Sequence, residues 1–278
     1  MIKEKKKRYI DGYYKQLLDD FKNAVEKHNT SIVMIFDGKS GKGKTTLSNQ
    51  TGAYLDPNFD LKNIYYDPET FLKGLATALP GSFHSFDEAM IISSRSVMST
   101  VNRMIIQAMS MIRSKKIYVA FCVNSIFDLD KNLVLSRADA LMHVYGLGLV
   151  DRGRFAVYFK SSGDQWDRIK DLYLKGKKFY SYYEPKPNYR CKFVKDFVVD
   201  EVQYEEEKQV AINKFLVQEP TTKRQRSYEA LVVKLVRIEG YKQKKIAEYA
   251  EVDPSTISYI LNKPQNQRRD SEKPELKV

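Results

Sequence analysis

The chain has 278 residues, 42% of them hydrophobic, which is enough for one α/β body and a smaller helical unit. Its 47 Lys and Arg against 35 Asp and Glu leave a formal charge of +12, a balance that points to a polyanionic partner. Two distant cysteines, Cys122 and Cys191, argue against a disulfide framework and for a reducing, cytoplasmic compartment. The three histidines lack metal-ligand spacing, and no apolar run approaches the ~20 residues that span a bilayer, so no membrane partner is expected.

Residues 1–29 read as a basic tail and a helix. Lys3 to Arg8 is a basic tract without the apolar stretch of a signal peptide. Tyr9 to Lys27 has helical spacing, and Leu17, Leu18, Phe21 and Val25 would pack on the core or on a neighbouring subunit.

Ser31 to Phe36 is a short, nearly unbroken apolar run ending at Asp37, as expected of a central parallel strand. It leads into Gly38-Lys39-Ser40-Gly41-Lys42-Gly43-Lys44-Thr45, a complete phosphate-binding loop, and then into a predicted helix over Thr45 to Tyr54. Glycines let the backbone curl so that N–H groups from Gly38 through Thr46 face phosphate oxygens, aided by the positive end of the helix. Lys44 would reach the β- and γ-phosphates, and the Thr45 hydroxyl would hold Mg²⁺. With no guanine signature downstream, ATP is the expected nucleotide.

Phe83 to Ala89 supplies the second part. Asp87 at the end of a strand would complete the Mg²⁺ site, and Glu88 would polarise the attacking water. His84 and Ser85 interrupt the apolar run, and a solvated acid pair at a strand end is the alternative. Further strands are expected at Ile117 to Val123, Leu141 to Gly146 and Phe155 to Phe159. Asn124, at the end of the first of these, is a candidate to sense the γ-phosphate and orient water, or else a plain turn residue. Strands alternating with helical segments predict a mainly parallel α/β sheet flanked by helices.

Residues 30–160 resemble the additional-strand, catalytic-glutamate branch of P-loop ATPases, and within it the FtsK–HerA-type DNA-pumping ATPases and Zot-like proteins of phages and mobile elements. The resemblance rests on Gly38 to Thr45, Asp87-Glu88-Ala89, Asn124 and the run Leu135 to Leu141. It implies that Arg137 acts on the nucleotide of a neighbouring subunit, with Arg95 as competitor. A surface salt bridge is the alternative for both. It also implies assembly into a ring or filament, which DNA can induce.

The remaining body, to residue 217, is less legible. Trp166 to Tyr173 has helical spacing, and Phe179 to Tyr189 reads as an aromatic, basic loop packed on the body or facing nucleic acid. Phe193 to Val199 predicts an edge strand, followed by an acidic helix to Leu216. Residues 218–226 read as a linker.

Residues 227–263 form a separate helical unit. Ser227 is placed to cap a helix through Arg237, with Leu231, Val232, Leu235 and Val236 as its apolar face. Gln243 to Leu261 then resembles a DNA-binding helix-turn-helix, with Asp253 and Pro254 opening the second helix. Ser255, Thr256, Ser258, Tyr259 and Asn262 would face a major groove, with Lys244 and Lys245 on phosphates. A helical hairpin or protein-docking module is the alternative. Residues 264–278 read as a disordered basic tail.

Together these imply a DNA-associated, Mg²⁺-dependent ATPase of a virus, plasmid or mobile element, acting on duplex DNA in translocation or packaging. An ATP-switched DNA-binding regulator, a replication or partition protein, and a helicase loader are the competing readings.

Overall fold

A computed structural model describes residues 8–87, 112–146, 151–161, 167–217 and 223–262. Contacts divide the chain into Met1–Phe215 and Leu216–Val278. The first unit is an α/β layer structure. Its strands are β1 (Ile32–Asp37), β2 (Ile64–Tyr65), β3 (Phe83–Asp87), β4 (Tyr118–Cys122), β5 (Ala140–Tyr145), β6 (Arg154–Phe159) and β7 (Tyr189–Lys192). Its helices are α1 (Gly12–His28), α2 (Lys44–Leu55), α3 (Pro68–Ala76), α4 (Lys131–Ser136), α5 (Arg168–Gly176) and α6 (Glu201–Val217).

Among the described residues the sheet has the order β2-β3-β4-β1-β5-β6-β7. From β2 to β5 neighbouring strands are parallel, whereas β5–β6 and β6–β7 are antiparallel. The sheet is therefore mainly parallel, with an antiparallel edge formed by β6 and β7.

All six residues of β1 are buried, which is the reason its sequence is apolar throughout. Val33 and Ile35 join Phe71, Phe121, Leu133, Leu141 and Leu172 in one core, under α3, α4 and α5. Ile32, Met34 and Phe36 join Leu18, Phe21, Leu47, Phe83 and Met142 in the other, under α1 and α2. Leu17, Leu18, Phe21 and Val25 of α1 thus pack on the core of their own chain.

The polar interruption of β3 has a structural cause. His84 is buried between the Tyr65 hydroxyl at 3.0 Å and Ser82 Oγ at 2.8 Å, and burial lowers its pKa to about 4. Ser85 Oγ lies 3.1 Å from Ser48 Oγ on α2. A polar side chain with a partner on each flanking element sits in a core strand at little cost.

One expectation in the extension is corrected. The edge strand is Tyr189–Lys192, not Phe193 to Val199. Pairing stops because β6 begins at Arg154, and beyond it the Val194 and Asp196 carbonyls accept from Gln50 Nε2 at 2.8 and 3.0 Å. The aromatic loop before β7 packs on the body through Tyr182, while Phe179 and Tyr183 remain exposed.

The second unit consists of α7 (Lys223–Arg237), α8 (Gln243–Tyr249) and α9 (Pro254–Asn262). α7 begins at Lys223 rather than at Ser227, so half of the expected linker is helical; Lys-Arg-Gln-Arg contains no helix breaker. Leu231 is exposed, and Val232 and Val233 face inward with Ile246, Ala247, Ile257, Ile260 and Leu261. Asp253 opens α9 by accepting from Ser255 N at 2.8 Å, and Arg237 donates to the Leu261 carbonyl at its end, at 2.9 Å.

Between α8 and α9, Glu251 takes a φ of 54°, a left-handed conformation costly for a residue with a Cβ. Replacing Glu251 with Gly should stabilise this unit by about 1 kcal/mol. Amide hydrogen exchange across α8 and α9 in the full chain would show it as slower exchange; unchanged or faster exchange contradicts it.

Candidate functional site

The phosphate loop joins the end of β1 to α2 at the carboxyl edge of the parallel strands. Its backbone explains two of its glycines. Gly38 has φ 135°, and a Cβ there would overlap the Val144 carbonyl oxygen on β5. Gly43 has φ 97° at the N-terminus of α2, and a Cβ would press on the Phe193 ring at 2.9 Å. Both positions need glycine for conformation and for space.

Lys44 is partly buried at the base of the loop. Its Nζ donates to the Gly38 carbonyl at 2.7 Å and to Asn124 Oδ1 at 3.2 Å. Burial pulls its pKa below the usual lysine value. An ammonium desolvated in this way gains from any anion placed in the loop. The Asn124 carbonyl also accepts from Gly38 N at 3.3 Å, so the end of β4 braces the loop. Lys42 is turned aside and donates to the Asp151 carbonyl at 3.2 Å.

Thr45 Oγ1 donates to Asp87 Oδ2 at 3.2 Å, across from the end of β3. A hydroxyl and a buried carboxylate side by side form a hard oxygen pair of the kind Mg²⁺ takes. Asn49, one turn along α2 from Thr45, is buried with an Oδ1 that has no hydrogen-bond partner among the described residues. Thr45, Asp87 and Asn49 are among the residues that line one cavity of about 320 Å³, with Ser40, Gly41, Gly43, Lys44, Thr46 and Asn124. The residue set fits a Mg²⁺–nucleotide.

The cavity has a further wall that the sequence did not suggest. Arg152 comes from the turn before β6, Lys195 from the segment pinned by Gln50, and Tyr204 and Lys208 from α6. Tyr204 OH donates to Asp87 Oδ2 at 2.7 Å, and burial beside this carboxylate raises its pKa. Beneath the loop, fully buried Asp37 accepts from Ile126 N at 2.9 Å and from Tyr182 OH, and its Oδ1 lies 2.8 Å from His143 Nδ1. No motif marks these residues, since they lie far apart in the chain.

The other expected residues are spread out. Glu88 and Arg95 lie outside the described residues. Arg137 follows α4 near Asp139, whose backbone N–H bonds the Val33 carbonyl at 2.8 Å, so it stands at the amino edge of the sheet, opposite its own phosphate loop. Cys122 is buried beside Ser85, and its thiol pKa is pushed up to about 12 by burial, as expected of an inert core thiol. In the second unit, Ser255, Thr256, Tyr259 and Asn262 are exposed on α9 and Ser258 is half-buried. Lys244 and Lys245 are exposed on α8. Among the described residues no helix is long and apolar enough to cross a membrane.

No protein-family model matches the sequence, and no curated protein matches it. Among solved structures the chain is similar to the N-terminal domain of zonular occludens toxin from Neisseria meningitidis. That match has 13% identity and a TM-score of 0.35, and covers 63% of this chain and 98% of that one. The chain is also similar to the replication initiator DnaA bound to AMPPCP and single-stranded DNA, at 11% identity and TM-score 0.32, over 93% of this chain and 89% of that one. Neither likeness is close enough to carry a role to any residue.

Proposed function

We propose that the chain is a Mg²⁺-dependent ATPase that acts on duplex DNA, with translocation or packaging as its work. The observation that carries the nucleotide part is the meeting of Lys44, Thr45 and Asp87 in one cavity at the carboxyl edge of β1 and β3. Lys44 neutralises phosphate charge, and Thr45 and Asp87 hold the metal, which supplies charge to the transferring phosphoryl group when bound. Glu88, next in the chain after Asp87, is the proposed base for water. The additional-strand branch is supported by β4, which lies between β1 and β3 and brings Asn124 beside Lys44.

The duplex-DNA part rests on the second unit. An exposed α9 face of short polar side chains and Tyr259, beside Lys244 and Lys245, suits a groove and its phosphates. The proposed oligomer gives Arg137 a neighbour's nucleotide to reach, since it stands away from its own.

Steady-state ATP hydrolysis with and without duplex DNA, beside Glu88→Gln, tests this reading. Duplex DNA should stimulate turnover about tenfold or more, and the variant should keep nucleotide binding while losing at least about 100-fold in rate. Slow turnover that DNA leaves unchanged, with nucleotide-gated DNA binding, would replace the motor with an ATP-switched regulator. Normal turnover by Glu88→Gln would assign water activation to another residue.

A further inference from the structure

The Asp87 carboxylate is more crowded than a phosphate loop and an acidic strand require. Oδ2 already accepts from Thr45 and from Tyr204, and Lys208 Nζ stands 3.7 Å from the same oxygen. Tyr204 and Lys208 are four residues apart on α6 and share one face. Lys208 Nζ also donates to Tyr204 OH at 3.2 Å and lies 5.4 Å from the centroid of its ring. The Lys208 side chain is only 24% exposed. The start of α6 is fixed, because Tyr204 and Val199 pack with Leu61 and Ile64. Lys208 is therefore held over the cavity and is not a free surface charge.

Resting on the nucleotide reading of the phosphate loop, we propose that Lys208 is a triphosphate-binding residue supplied in cis by α6. It pairs with Asp87 while the loop is empty and with the γ-phosphate once Mg²⁺ and nucleotide are bound. The exchange follows from charge. A divalent cation between Thr45 and Asp87 repels an ammonium less than 4 Å from their shared oxygen. The terminal phosphate is the anion that enters beside that cation, and a four-carbon stem reaches it without moving the helix. Tyr204, held by its ring, positions Lys208 in both states. α6 thereby distinguishes ATP from ADP from within its own chain, whatever a neighbouring arginine adds.

Calorimetric titration of the full chain with Mg²⁺ and either AMPPNP or ADP tests this. Lys208→Ala should weaken AMPPNP binding about tenfold or more and change ADP binding by no more than about twofold. Lys208→Arg should retain most of the preference. An equal loss for both nucleotides, or tighter binding of both, overturns the proposal; the second result would make Lys208 only a counter-ion that ligands displace. If wild-type protein binds neither nucleotide, or Lys44→Ala binds both as well as wild type, the nucleotide reading fails and takes this proposal with it. That pattern differs from one in which only Lys208 is silent.

Discussion

Lys44→Ala should weaken Mg²⁺–ATP binding about 100-fold and leave the fold intact. The ammonium is half withdrawn from water and, among the described residues, donates to the Gly38 carbonyl and Asn124 Oδ1, two neutral acceptors. A phosphate oxygen replaces them with a charge-assisted bond, and two such contacts are worth roughly 3 kcal/mol, or about two decades in affinity. Without nucleotide the same ammonium is a desolvated charge, so its removal should leave the melting temperature near that of wild type. Equilibrium binding of a fluorescent ATP analogue, beside a melting curve, measures both. Wild-type affinity in the variant would end the phosphate assignment.

Asp87→Asn separates the metal from the nucleotide. Asn keeps an oxygen for Tyr204 OH and Thr45 Oγ1 but removes the charge that faces Lys208 and Mg²⁺. Nucleotide affinity in chelator should hold or improve, since one negative charge near the phosphates is gone. The gain on adding Mg²⁺ should fall by about tenfold or more. The comparison of titrations with Mg²⁺ and with chelator gives the answer directly. An undiminished Mg²⁺ gain would mean that Asp87 is a structural acid bonded to Tyr204 and nothing more.

Tyr204 and Lys208 carry the general lesson about long-range placement. Tyr204 bonds a carboxylate 117 positions earlier in the chain. The Tyr-x-x-x-Lys spacing on an acidic helix says only that the two share a face. That face meets Asp87 because Val199 and Tyr204 find Leu61 and Ile64 in the core. The phosphate loop is the opposite case. Its glycines, lysine and threonine are consecutive, so backbone conformation and side-chain chemistry are written together in one segment.

The remaining differences divide in the same way. Local rules located β1, α2, β3 and the start of α9, because strand burial, loop glycines and an Asp-Pro cap act within a few residues. The edge strand was misplaced because Gln50, on a distant helix, claims the carbonyls of Val194 and Asp196. Leu231 was misassigned because which side of α7 faces inward depends on α8 and α9 packing against it. The sequence by itself therefore determined the phosphate loop, the acidic partner and the alternation of strands and helices. Only the tertiary structure decided the antiparallel edge, the buried support under Asp37 and the cover of α6 over Asp87. Those depend on side chains that meet across the sheet, where sequence distance carries no signal.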